Sequence, residues 1–144
     1  MLMLACGNLA LTAQEGVEPD QTMLVGMDPP ALFAALGAPQ QVLTQRGEAP
    51  EQDNVVFFYP DCRSVFWYHD RVWQVRFDHR YGGSVMGFRI GMDRSAVDGV
   101  GSGRLESRGD SVYYTVDTLR FPLRLRLVME GERVCDMYLY RSDY

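Results

Sequence analysis

The residues in this 144-residue chain best suited to acid–base or metal chemistry are two histidine–aspartate pairs, His69-Asp70 and Asp78-His79. An imidazole beside a carboxylate can move a proton near neutral pH, and the same groups together can hold a divalent cation. Their spacing opposes both. The residues between them, Val72 to Phe77, alternate as one strand, and at about 3.3 Å per residue that strand holds the pairs roughly 20 Å apart. Further along, Gly131-Glu132 stands where His69-Asp70 does, which is hairpin-turn material. The run Gly99-Val100-Gly101-Ser102-Gly103-Arg104 has the composition of a phosphate loop. It follows a helical pattern and does not open one, so a helix-ending turn is expected. Cys6, Cys62 and Cys135 have no histidine and acid arranged with them as a thiol enzyme needs. The fourteen basic residues are all arginine, which excludes a Schiff-base lysine, and a net charge of −5 argues against nucleic acid as partner. No catalytic residue, metal or cofactor is expected.

The elements that position these residues come in two similar sets. Val25-Gly26-Met27-Asp28 returns as Ile90-Gly91-Met92-Asp93, Pro60 as Pro122, and Arg71-Val72 as Arg133-Val134. Two copies of one supersecondary unit, each too small to bury its own apolar face, are expected to share a core. In the first, Asp28 caps a short helix with Pro29-Pro30 in its first turn, and Gly37 and Pro39 end it. Strands follow at Val55 to Tyr59, Arg63 to Tyr68 and Val72 to Phe77. In the second, a helix from Asp93 to Val100 precedes Leu119 to Phe121, Leu123 to Met129 and Val134 to Tyr140. The expected fold class is α+β, with two tandem α-β-β-β units forming an antiparallel sheet and short helices packed on one face. The domain plan is a signal or lipoprotein-like segment with tether at 1–22 and one domain at 23–144, its repeats at about 24–80 and 88–141.

Alternation assigns the faces. Leu123, Leu125, Leu127 and Met129 face the core, which puts Val65 and Trp67 inward and Cys62, Ser64, Phe66 and Tyr68 outward. The last strands place Trp73, Val75, Phe77, Cys135, Met137 and Leu139 inward. Val72, Gln74, Arg76, Val134, Asp136 and Tyr138 then point outward, with Phe58 and Arg120 on the same side. The open face therefore combines Phe58, Phe66 and Tyr68 with Arg76, Arg120, Arg124, Arg126 and Tyr138, and Tyr140 lies near them. Aromatic residues with arginines are the composition of interface hot spots, so these eight are the candidate partner-binding residues. The alternatives are that a long loop or the chain terminus covers the aromatics, or that they form part of a second core layer. Opposite parities disfavour a Cys62–Cys135 disulfide unless an irregularity near Pro60 turns Cys62.

Met1 to Ala13 is apolar and too short to span a bilayer, which takes about 20 residues. It reads as the apolar core of a secretory signal without its basic start. Met3-Leu4-Ala5-Cys6 looks like a lipobox in which Cys6 would be lipidated. Cleavage after Ala13 is the rival, and a first strand or helix of a cytosolic protein is the non-export alternative. An exported protein, periplasmic or lipid-anchored to the bacterial envelope, is expected.

The Gly26-Met27 and Gly91-Met92 starts, Leu36-Gly37-Ala38-Pro39, Val55 to Tyr59 and Arg71-Val72-Trp73-Gln74-Val75 together resemble the β-lactamase-inhibitory-protein architecture. Each unit is also similar to small SmpA/OmlA-type lipoproteins of outer-membrane barrel assembly. The resemblance covers most of 24–140, although Gly101-Ser102-Gly103 replaces the Leu-Gly-Ala-Pro turn in the second copy. It implies a sheet face that contacts other proteins. The expected function is an exported, non-enzymatic module docking another envelope or secreted protein through its open face. The alternative is a carrier of a small apolar ligand or lipid.

Overall fold

The structure is a computed structural model and describes residues 20–50, 54–101, 103–116 and 120–143. Four consecutive antiparallel strands form each half. In the first half these are β1 (Gln41–Gln45), β2 (Asn54–Phe58), β3 (Arg63–Tyr68) and β4 (Arg71–Phe77). A short hairpin follows, β5 (Ser84–Val85) with β6 (Phe88–Arg89). The second half comprises β7 (Arg104–Arg108), β8 (Ser111–Val116), β9 (Leu123–Glu130) and β10 (Arg133–Arg141). The two last strands pair with each other, so one eight-stranded sheet runs β1-β2-β3-β4-β10-β9-β8-β7.

This overturns the α+β expectation. The helical elements named among the described residues are a 3-10 turn at Gln21–Leu24, α1 (Pro29–Leu36) and the single turn α2 (Arg94–Val97), and the fold is dominated by antiparallel sheet. The helix expected over Asp93 to Val100 stops at Val97, where Gly99 and Gly101 follow too soon for a second turn. The first helix forms as its caps dictate: the Asp28 carboxylate accepts from the Ala31 N–H at 3.0 Å, and Gly37 leaves it at φ +75°. Leu32 of α1 and Val97 of α2 are both fully buried.

The halves are four-stranded meanders and not three-stranded. The outer strands β1 and β7, and β8, lie in stretches where the alternation pattern predicts no strand. The strand expected at Leu119 to Phe121 does not form, since Arg120 and Phe121 lie in a bend and Leu119 falls outside the described residues. Its place is taken by β8, whose Val112 pairs with Leu127, whereas Phe57 pairs with Val65 in the first half. The link from this strand to the next is longer in the second half, and an ungapped 62-residue spacing runs past it.

From β3 onward that spacing does hold. Phe66 pairs with Gln74 and Trp67 with Val72, leaving Trp73 as the extra residue of a β-bulge. Sixty-two residues on, Val128 pairs with Asp136 and Met129 with Val134, leaving Cys135 as the extra residue. A bulge inserts one residue and reverses the parity beyond it. Val72 and Val134, expected outward, are therefore fully buried, and Trp73 and Cys135, expected inward, are only half-buried.

The paired sequence markers meet at these bulges. Gly26 N–H donates to the Val72 carbonyl at 2.7 Å and Val72 N–H to the Met27 carbonyl at 2.9 Å. Gly91, Val134 and Met92 repeat the arrangement at 2.7 and 3.0 Å. Arg71 reaches the Gly26 carbonyl and Asp28, and Arg133 reaches the Gly91 carbonyl and Asp93. The Gly-Met-Asp and Arg-Val motifs are thus the two sides of one clip, used twice. Each clip needs φ near +90° at its glycine (Gly26 +91°, Gly91 +85°), where a side chain is strained.

One core lies on the clipped side of the sheet. Val65, Val75 and Phe77 from the first half meet Leu125, Leu127, Met137 and Leu139 from the second, with Val85 and Phe88 of the hairpin over them. Each such side chain contributes about 1.5–3 kcal/mol by leaving water, and contributions from both halves meet at the β4–β10 seam.

Candidate binding face

The opposite side of the sheet is built from two cross-strand rows. One reads Gln41, Phe58, Ser64, Arg76, Tyr138, Arg126, Tyr113, Glu106 from edge to edge. Its neighbour reads Leu43, Val56, Phe66, Gln74, Tyr140, Arg124, Thr115, Arg104. The face is apolar and aromatic on β1 to β3, and carries tyrosine and arginine on β8 to β10.

On the apolar side lies an open groove of about 680 Å³. Val56 forms its buried floor, Phe58, Phe66 and Trp73 its walls, and Leu43 and Gln45 its outer lip, while Gln74, Arg76 and Tyr138 close the inner end. The rings of Phe66 and Trp73 meet edge to face at 6.5 Å, and the Trp73 indole N–H donates to the Asn54 side-chain oxygen at 3.2 Å. Trp73 reaches this face because the bulge sends it here.

The arginine side is internally braced. Arg76 makes two parallel hydrogen bonds to Asp136, Nε to Oδ1 at 3.2 Å and Nη2 to Oδ2 at 2.6 Å. The Asp136 bond and its charge hold the guanidinium pKa above its ordinary value against the opposing effect of burial. Both Arg76 and Arg126 lie over the Tyr138 ring, at 5.6 and 5.8 Å, a cation–π sandwich. Burial, assisted by the Asp136 charge, raises the Tyr138 phenol above its usual range. Arg126 Nε also donates to the Ser111 hydroxyl at 2.9 Å, and Arg124 and Arg108 flank Tyr113 at 5.8 and 5.9 Å.

Of the eight residues singled out by sequence, Phe58, Phe66, Arg76 and Tyr138 line the groove. Arg124 and Arg126 lie on the same face beyond it, on β9. Tyr68 is outside the groove at the end of β3, its ring edge-on to His69 at 4.2 Å. Arg120 is not on the face. It sits in the β8–β9 connection, donates to the Val25 carbonyl at 3.1 Å and covers Phe121 at 5.0 Å. Sequence reasoning missed Trp73, which the bulge redirects, and Tyr113. The latter had a readable signal in the β-rich run Ser111 to Val116 behind the Gly109-Asp110 turn. Cys6 falls outside the described residues.

The chemistry-bearing residues are engaged elsewhere. His69 and Asp70 form the β3–β4 turn, and Asp78 is bound to the Arg80 backbone and guanidinium, which lowers its carboxyl pKa. The glycine run beyond α2 accommodates a tyrosine: a Cβ at Gly101 or Gly103 would collide with the Tyr114 ring end, and Gly103 N–H donates to the Tyr114 hydroxyl at 3.0 Å. Cys62 and Cys135 are free thiols, and burial raises the Cys135 pKa. Among the described residues no three His, Cys, Asp or Glu side chains converge as a metal site requires, and no helix is long and apolar enough to cross a membrane. A second hollow of about 720 Å³ opens beside the 3-10 turn, but its arginines act as braces, Arg63 to Gln21 and Asp61 and Arg80 to Asp78.

No protein-family model matches the chain, and no curated protein sequence does either. Solved structures do resemble it. A cysteine-rich secretory protein from Staphylococcus aureus aligns with a TM-score of 0.56 and 12% identity, over 88% of this chain and 47% of that one. An extracellular protein containing an SCP domain, from Bacillus anthracis, aligns with a TM-score of 0.56 and 14% identity, over 92% of this chain and 50% of that one. At these identities the likeness is one of fold, and this chain spans about half the length of either neighbour.

Proposed function

We propose that this chain is an exported, non-enzymatic binding module whose open sheet face holds an apolar segment of another envelope or secreted protein. The observation that carries the reading is the groove: Phe58, Phe66 and Trp73 stand around a buried Val56 floor with a polar inner end. Large rings immobilise at little entropic cost and dominate interface energetics, so three of them around one hollow form an anchor pocket. Arg76 has its carboxylate in Asp136 and Arg126 is stacked on Tyr138, so both stiffen Tyr138 as the pocket wall.

Several observations support the rest. The apolar Met1 to Ala13 stretch speaks for export, with Cys6 a lipidation site or Ala13 a cleavage site, and the two neighbours described as secretory and extracellular agree with it. Internal duplication is favoured by the clip and bulge that recur in both halves. The likeness to β-lactamase-inhibitory proteins and SmpA/OmlA-type lipoproteins points to the same use of a sheet face.

The test compares capture from envelope extract by the wild type, Phe66→Ala and Arg120→Ala. A protein retained by the wild type and Arg120→Ala but lost by Phe66→Ala fits the reading. Retention by all three, or a co-purified lipid with no protein, refutes it and in the second case favours the carrier.

A further inference from the structure

The two outer strands of the sheet are alike in position and opposite in chemistry. Strand β7 reads Arg104-Leu105-Glu106-Ser107-Arg108 and is closed by its own charges, Arg108 donating to Glu106 at 2.9 Å. Strand β1 reads Gln41-Val42-Leu43-Thr44-Gln45, has no charge and no proline, and is exposed along its whole length. Among the described residues no strand lies beyond it. Edge strands are ordinarily blunted by charge, proline or a cover, because their free N–H and C=O groups template another strand.

The apolar surface gathers at the same edge. Of the six large hydrophobic side chains that are exposed among the described residues, Phe33, Val42, Leu43 and Val55 lie there. Leu43 is on the groove side, beside Val56. Val42 pairs with Phe57, whose ring is 6.0 Å from that of Phe33 on the other side, and Val55 pairs with Thr44. A strand paired on one edge only, uncharged and with apolar residues on both sides of the sheet, leaves a surface that another strand can complete.

We propose that β1 pairs antiparallel with β1 of a second copy, giving a two-fold dimer with one continuous sheet. The strand is nearly palindromic about Leu43. Self-pairing sets Gln41 against Gln45, Val42 against Thr44 and Leu43 against Leu43, with no like charges opposed. The same operation on β7 would oppose Arg104 to Arg108 and Glu106 to Glu106, which is destabilising. A β1–β1 contact is isologous and closes at two copies, whereas β1 on β7 would propagate. It joins the two grooves at their Leu43 lips.

The test is the mass of the full chain by light scattering after gel filtration, for the wild type, Leu43→Lys and Glu106→Lys. The wild type should have twice the 16.4 kDa chain mass. Leu43→Lys, which opposes two ammonium groups on the axis, should halve it, and Glu106→Lys at the other edge should leave the dimer intact. Circular dichroism of Leu43→Lys should show the wild-type strand signal, since Leu43 is 46% exposed and outside the core. A monomeric wild type overturns the proposal and leaves the edge to an extended segment of a different protein. A dimer that survives Leu43→Lys overturns it as well. Neither result bears on whether Phe66 anchors a partner.

Discussion

Arg76 and Tyr138 stand directly opposite each other where the two meanders join, and each occupies in its own half the position that the other occupies, 62 residues away. The pair therefore marks the local two-fold of the sheet, and the symmetry is broken there by side-chain type. Tyr138 supplies a ring, and Arg76 lies over it while gripping Asp136. The same break divides the face into an aromatic groove and an arginine–tyrosine half.

Removing the grip should cost stability. Arg76→Ala leaves Asp136, whose side chain is 15% exposed, without its two charge-assisted bonds. A loss of about 1–3 kcal/mol is expected from urea unfolding. Adding Asp136→Ala should recover part of that loss, because the unpaired carboxylate is then gone.

The two clips should differ in tolerance. Alanine at Gly91 meets nothing within 4 Å and suffers only its positive φ, a cost of about 1–2 kcal/mol. Alanine at Gly26 has the same strain and also places its Cβ 2.9 Å from the Phe121 ring. Thermal melts should rank Gly26→Ala below Gly91→Ala, and the reverse order would contradict the packing of the β8–β9 connection against the first clip.

Groove and core aromatics should separate cleanly. Phe77→Ala removes a fully buried ring and should destabilise by about 3–5 kcal/mol. Phe66→Ala should leave the melting temperature much closer to the wild type and weaken partner capture by about tenfold or more. Equal destabilisation by both would place Phe66 in a second core layer.

Alkaline pH should destabilise the fold through Tyr59 and Tyr138. Burial is the leading cause of the raised phenol pKa in each. Their folded forms keep the proton where the unfolded chain has released it, so the native state binds more protons above the ordinary phenol value of about 10 and stability falls as pH rises through it. Below that value both states are protonated and the term vanishes. Tyr138→Phe should flatten the fall in urea midpoint measured across this range.

Alternation made the inward set Val65, Trp67, Leu123, Leu125 and Leu127 legible, because each strand has a single buried face there. It failed one residue beyond the bulges, at Val72, Trp73, Val134 and Cys135, since a bulge adds a residue without altering the alternating pattern that signals a strand. The motifs that mark those bulges, Gly-Met-Asp and Arg-Val, were visible as a repeat, but their mutual hydrogen bonding depends on a long-range contact. Strand β1 is not among the strands the sequence predicts, because an exposed edge needs no apolar alternation. Arg120 leaves the face because the β8–β9 link is longer than the β2–β3 link, so the 62-residue spacing from Phe58 ends in the connection and not on a strand. Half the candidate site, Phe58, Phe66, Arg76 and Tyr138, was legible, and Trp73 was hidden by the bulge.

The most direct test of the binding face is a photo-reactive phenylalanine analogue at Phe58, in the groove wall, compared with the same analogue at Tyr68 outside it, irradiated in the producing cell. A protein adduct from position 58 that is absent from position 68 is the predicted result. No protein adduct from position 58, or equal adducts from both, would contradict the account.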